Sequence, residues 1–263
     1  EILINASSPV VSSEFPLQAL ISLVAWKGEP PAGIQFSVEL RAGKKKIYSS
    51  KVAADMENKA TITVPLPSGI QGDGSVVVST SVKGKKLVAE LPVQITEAQA
   101  NVSFFPESGN LIQGVSNMMK VAVTLDSMPV GEINGEITDN AGTFLGSVNS
   151  LGQGTAVFSF TPRAGKNYFF VLKLSDGRKK TFPIPEAHRG ILLQMLENTS
   201  QKVRFALLKS PGYESNKLLF LLESNGFIYS FTQAEPGQII SVPVEGIPSG
   251  LARALVFDEK EQV

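Results

Sequence analysis

The chain has no cysteine, one histidine and one tryptophan among its 263 residues. Without cysteine there is no disulfide, no thiolate nucleophile and no thiolate metal site. A single imidazole, His188, leaves little for a catalytic triad or a histidine metal cluster, so no catalytic residue, no metal and no cofactor is expected. Net charge is missing too, with 24 Lys+Arg against 24 Asp+Glu. Nothing then supplies the sequence-independent attraction to phosphate, and nucleic acid is not an expected partner. Long apolar runs are also lacking. The longest, LQALISLVAW at 17–26 and LLFLL at 218–222, fall short of the roughly 20 residues that span a bilayer as a helix, so they read as buried strands and no transmembrane segment is expected. The first residue is Glu, with no charged and apolar leader before it, which reads as a leader or longer N-terminal part having been removed.

What is present is alternation. Val121, Val123 and Leu125 interleave with Lys120, Ala122 and Thr124, the two-residue period of a strand with one buried face. Asp73-Gly74, Asn134-Gly135, Asp176-Gly177 and Asn225-Gly226 sit between such runs, and these dipeptides are expected to form tight hairpin turns. The 23 glycines and 16 prolines are scattered over many breaks, so the chain should hold many short strands and no helix of consequence.

One module occurs three times. KATITVPLPSG at 59–69, TAVFSFTPRAG at 155–165 and IISVPVEGIPSG at 239–250 each join an alternating strand to a proline and a glycine turn. The inward positions should be Ala60, Ile62, Val64 and Leu66, then Ala156, Phe158 and Phe160, then Ile240, Val242 and Val244. A hairpin-like segment precedes each copy. The spacing, roughly 85–95 residues, is too long for a solenoid repeat, so each unit should be a whole domain. The expectation is all-β: three tandem seven-stranded immunoglobulin-like sandwiches at 1–97, 98–187 and 188–263, joined by short linkers. Strand counts come to about seven, seven and six, so the last unit reads as one strand short of a complete sandwich.

Residues 102–114, VSFFPESGNLIQG, and the strands that follow through "GQGTAVFSFTPRAGKNYFFVLKL" resemble the macroglobulin-type β-sandwich domains of large Bacteroidetes cell-envelope proteins. The pattern is Phe-Phe-Pro-Glu-Gly-Gly-Asn-Leu followed by a Gly-x-Gly turn into Phe-x-Pro. Ser108 stands where the family usually has its second glycine, and Leu151 replaces a common histidine. The resemblance covers most of the second unit, the end of the third and the first in outline. It implies a sandwich array in the periplasm or at the outer-membrane surface, within a larger protein. It does not imply protease trapping, because that mechanism requires a thioester cysteine.

The Phe104–Gly114 stretch itself reads as a hinge. Phe104 and Phe105 point to opposite faces of an extended segment, so one should enter the second core and the other pack on the neighbouring unit or linker. Gly109, Asn110 and Gly114 let the chain turn. Gly152-Gln153-Gly154 precedes a strand, so it reads as a hairpin turn and not a dinucleotide loop. His188, beside Arg189 and Glu186, reads as a solvated linker residue. Asp126, Asp139 and Asp176 read as turn acids bonded to their own backbone. Three basic hairpins, at Lys44 to Lys46, Lys83 with Lys85 and Lys86, and Arg178 to Lys180, should keep hairpin tips solvated and discourage edge pairing. Glycan or surface contact is the alternative use of those lysines. Trp26, with Tyr48, Tyr168, Tyr213 and Tyr229, is the sparse aromatic supply for a binding surface. The leading expectation is a non-enzymatic scaffold or interaction array whose partners are other envelope proteins or further domains. A ligand-binding accessory module, for instance for glycans, is the alternative.

Overall fold

The computed structural model describes residues 1–25, 33–215 and 217–258, and Trp26 lies outside them. Every regular element among the described residues is a strand. The first unit holds β1 (Ile2–Ala6), β2 (Val10–Val11), β3 (Leu17–Leu23), β4 (Gln35–Ala42), β5 (Lys45–Ala53), β6 (Lys59–Val64), β7 (Gly72–Val82) and β8 (Lys85–Ile95). The second holds β9 (Asn101–Pro106), β10 (Leu111–Ile112), β11 (Asn117–Leu125), β12 (Met128–Pro129), β13 (Asn134–Asp139), β14 (Phe144–Ser147), β15 (Asn149–Gly152), β16 (Thr155–Phe160), β17 (Tyr168–Lys173) and β18 (Lys179–Pro183). Then come β19 (Ala187–His188), β20 (Ile191–Asn198), β21 (Lys202–Lys209), β22 (Leu218–Ser224), β23 (Phe227–Ala234), β24 (Ile239–Pro243) and β25 (Ala252–Phe257).

These strands make tandem β-sandwiches. In the first, sheet β1-β3-β6 faces sheet β2-β8-β7-β4-β5 across a core that includes Ile21, Phe36, Val38, Leu40, Val76 and Val78. In the second, a sheet of β12-β11-β16-β15, with β9 also on β11, faces β14-β13-β17-β18 across Met119, Val121, Val123, Phe158 and Phe170. In the third, β20-β21-β24 faces β23-β22-β25 across a smaller core around Phe205, Leu207, Phe220 and Leu222.

The recurring module is β6, β16 and β24, one in each sandwich, each antiparallel to an earlier strand of its sheet, β3, β11 or β21. Ala60, Ile62, Val64, Leu66, Ala156, Phe158, Phe160, Ile240 and Val242 are all buried, while Val244 is only half-buried. Alternation works here because one face of each strand meets the opposite sheet and the other meets water.

Two of the four turn dipeptides are not turns. Asp176-Gly177 and Asn225-Gly226 do close hairpins, with Gly177 and Gly226 at φ +86° and +82°. Asp73-Gly74 lies inside β7, and Asn134-Gly135 opens β13. At Gly74 a Cβ would overlap the Ile95 side chain and the Arg41 carbonyl; at Gly135 it would overlap the Phe170 ring. These glycines are there for close approach and not for positive φ. The actual β7–β8 turn is Lys83-Gly84, at φ +49° and +77°.

Candidate functional site

The sites where this chain brings distant residues together are the two junctions between sandwiches. Residues 104–114 form the second of them. Phe104 packs against the second core, edge-on to Phe170 with ring centroids 6.3 Å apart. Phe105 is 53% exposed, so the expectation that it would pack on a neighbour or linker is corrected: β9 is an edge strand whose outer face meets water. After Pro106 the chain turns through Gly109 (φ +78°) and reaches Gly114 (φ +77°), where a Cβ would overlap the Pro211 ring of the third sandwich. The stretch therefore meets the sandwich that follows, not the one before it.

A buried asparagine holds the loop. Asn117 is fully buried, donates from Nδ2 to the Ile112 and Val115 carbonyls at 2.8 Å each, and accepts from the Ile112 amide at 2.8 Å. With its polar atoms satisfied it fixes the 111–117 turn at little cost in desolvation. The loop then presents β10, which pairs in parallel with β19. The Gln113 amide donates to the His188 carbonyl at 2.9 Å, and its Nε2 donates to the Ala187 carbonyl at 2.7 Å. The linker is thus tied down by backbone. His188 itself is exposed, as a linker residue should be.

Glu107 and Ser108 complete this junction. The Leu193 amide donates to Ser108 Oγ at 3.0 Å, and the Met195 amide donates to Glu107 Oε1 at 3.0 Å. Both amides belong to β20, whose only ladder partner among the described residues is β21. Two side chains of the second sandwich therefore cap the free edge of the third, in place of a strand. The departure from glycine at Ser108 is what supplies one of the caps.

The first junction is built from residues 7–15 and Thr96 of the first unit. Val10 is 1% exposed and belongs to the core of the second sandwich, as does the half-buried Phe15. Ser8 Oγ accepts from the Val10 amide at 3.0 Å and donates across the junction to the Pro129 carbonyl at 2.8 Å. Thr96 Oγ1 donates to the Asp126 carboxylate. Glu14 receives Lys180 at 2.7 Å and Arg178 at 3.8 Å. Gly131 approaches so closely that a Cβ would overlap Ser7 Oγ.

This arrangement corrects two expectations. Asp126 is not simply a turn acid bonded to its own backbone; it sits at φ +48° and accepts a hydrogen bond from the first unit. The third basic hairpin is not only a solvated tip: Lys180 and Arg178 grip Glu14, and Lys179 meets Glu136 at 3.0 Å. The reading holds elsewhere. Asp139 accepts from the Thr143 and Ala141 amides at 2.9 Å each, and these bonds, the Thr143 one foremost, hold its carboxyl below the ordinary value. Asp176 accepts from its neighbour Arg178 and is lowered likewise. Lys44, Lys45, Lys83, Lys85 and Lys86 are exposed at hairpin tips, while Lys46 reaches Glu39 at 3.5 Å.

The tyrosines are spread over all three sandwiches, with Tyr229 half-buried in β23. Tyr168 is buried against Phe160 at 4.9 Å and accepts the Arg163 amide at 2.7 Å. Tyr48 packs against the first core. Tyr213 donates to Asp258 at 2.9 Å, and burial, reinforced by that carboxylate, raises its phenol. Gly152-Gln153-Gly154 is the β15–β16 turn, with all three residues at positive φ. Among the described residues no three His, Asp or Glu side chains group as a metal site. Open clefts of about 490 Å³ and 400 Å³ lie beside the first and second junctions. What the geometry does is lock neighbours together by backbone pairing, side-chain caps and an ion pair.

No protein-family model matches the sequence, and no curated protein matches it. Among solved structures the chain is similar to a mutant of Salmonella alpha-2-macroglobulin, with 10% identity and a TM-score of 0.30 over 92% of this chain and 20% of that one. It is similar to trypsin-activated alpha-2-macroglobulin from Escherichia coli, with 10% identity and a TM-score of 0.31 over 93% and 21%. It is also similar to a tetra-tandem repeat in the extending region of a large adhesion protein, with 12% identity and a TM-score of 0.29 over 97% and 71%. The chain spans about a fifth of the length of the two macroglobulins.

Proposed function

We propose that this chain is a non-catalytic scaffold, a short array of macroglobulin-like sandwiches at 1–97, 98–187 and 188–263 that holds partner proteins or further domains at a set spacing in a bacterial cell envelope. The observation that carries the reading is that both junctions are built, with caps, a core residue shared across a boundary and an ion pair under the third hairpin. Independent modules on a tether would need none of these. The envelope location rests on the sequence resemblance of the second unit.

The test is site-specific photocrosslinking in the host cell from Met56 and Leu251, which are 99% and 93% exposed on the first and third sandwiches. The scaffold reading expects discrete crosslinked partners in the envelope fraction from at least one of them. A chain found only in the cytosol, or one that yields no specific adduct from either position, contradicts it.

A further inference from the structure

Each sandwich ends one of its sheets on the second strand of a hairpin: β5 in the first, β14 in the second and β23 in the third. Among the described residues each of these pairs with one neighbour only, β4, β13 or β22. The next strand of the chain, β6, β15 or β24, crosses to the opposite sheet, so the lane outside the hairpin is open in all three by the plan of the fold.

An edge strand invites pairing unless something discourages it. β5 carries Lys45, Lys46 and Lys51, all exposed. β14 is only 4 residues long. β23 has neither guard. Its sequence, FIYSFTQA, holds no charge and no proline, and Phe227, Ile228 and Phe231 are 69%, 61% and 62% exposed. All three hairpins carry a register shift near the turn, and in β23 it leaves Ser230 to Ala234 as the regular run against β22. The sheet face beside this edge differs in the same way. Phe231 stands across from Leu221 and Gln233 from Leu219, both leucines half-buried on the outer side. In the first sandwich the outer positions of the same strand pair are Lys51 and Ser49 opposite Ser37 and Glu39.

The charges select a second copy of this chain as the occupant. When an edge strand pairs antiparallel with itself, each charge comes close to its own counterpart, and like charges brought together in this way repel. For β5 that would gather lysines. For β23 paired about Thr232, the centre of its regular run, Phe231 falls opposite Gln233 of the other copy and Ser230 opposite Ala234, with no charge among them. The open parts of Phe227, Ile228 and Phe231 come to on the order of 400 Å² per copy. With the adjoining backbone, Tyr229 and Leu221, two copies would cover about 1,000 Å², where specific interfaces begin. We propose that β23 is a self-pairing edge: two copies of this chain join antiparallel through it in a two-fold dimer, and their three-stranded sheets run on as one. The proposal goes beyond the scaffold reading, and either can fail alone, since discrete envelope partners do not require a dimer and a dimer does not require them.

The test is sedimentation of the whole chain from about 5 to about 500 µM. A monomer–dimer equilibrium with a Kd on the order of 10–100 µM is expected for an interface of this size. Phe231→Lys and Phe231→Glu, both at an exposed side chain, should keep the parent's melting temperature and each weaken dimerisation at least about tenfold. An equal mixture of the two should dimerise again, because opposite charges then meet across the axis. Ser49→Lys on β5 should change nothing. A parent chain still monomeric at about 500 µM overturns the proposal. So does a dimer that Phe231→Lys leaves intact, or association that grows past two copies. A monomer that binds phospholipid vesicles, and loses them with Phe231→Lys, overturns it in favour of a lipid surface.

Discussion

At the scale of residues, the junctions depend on small polar groups whose work is invisible in composition. Ser108 looks like a conservative loop residue until its hydroxyl is seen to accept the Leu193 amide. Ser108→Gly should cost about 0.5–1.5 kcal/mol and speed exchange of the Leu193 amide selectively; unchanged exchange there would remove Ser108 from the junction. Gly135→Ala should cost about 1–3 kcal/mol, since its Cβ would overlap a fully buried phenylalanine and overpacking is not relieved at such a site. Equilibrium denaturation measures it. Glu136, bonded to Lys173 and Lys179, has its carboxyl held below the ordinary 4.5, first by the Lys173 bond and then by the Lys179 bond. A depressed folded value means stability that is present above 4.5 and lost as pH falls through the lowered value. Glu136→Gln should therefore melt below the parent at neutral pH, and the gap should close in acid. A gap that does not change with pH would contradict this. None of these partners could be read from the sequence, because each pairing crosses tens of residues and leaves no periodic trace.

At the scale of elements, what repeats was legible and what occurs once was not. The strand, proline and glycine module announced β6, β16 and β24, because alternation over five or six residues is imposed by a sheet that faces a core on one side. Six strands in the third sandwich were likewise countable. The two-residue parallel pairs, β2 with β8 and β10 with β19, carry no such signal. Their turn chemistry looks like any loop. The Asp-Gly and Asn-Gly pairs misled in two cases because glycine serves positive φ and close approach alike. Leu111→Ala should cost roughly 2–5 kcal/mol, as a 1% exposed leucine in β10 that belongs to the second core. His188→Ala, in the paired β19 but with an exposed side chain, should stay within about 0.5 kcal/mol. A large effect at His188 on stability would mean its side chain, and not only its carbonyl, holds the linker.

At the scale of the whole molecule, the account depends on successive sandwiches being fastened to one another. Val10 belongs by sequence to the first unit and by packing to the second, a transfer that periodicity could not show because both cores welcome an apolar residue. Val10→Ala should remove about 1.5–2 kcal/mol, and amide exchange should locate the loss in the second sandwich more than in the third. The lack of cysteine makes the decisive measurement clean, since introduced thiols are unique. Spin labels on Met56→Cys and Leu251→Cys report the distance between the first and third sandwiches by pulsed electron resonance. A fixed array gives one narrow distance distribution that broadens when Glu14→Ala and Ser108→Gly are combined. A broad distribution in the parent chain, unmoved by those changes, would mean that the sandwiches swing freely and that the junctions hold nothing.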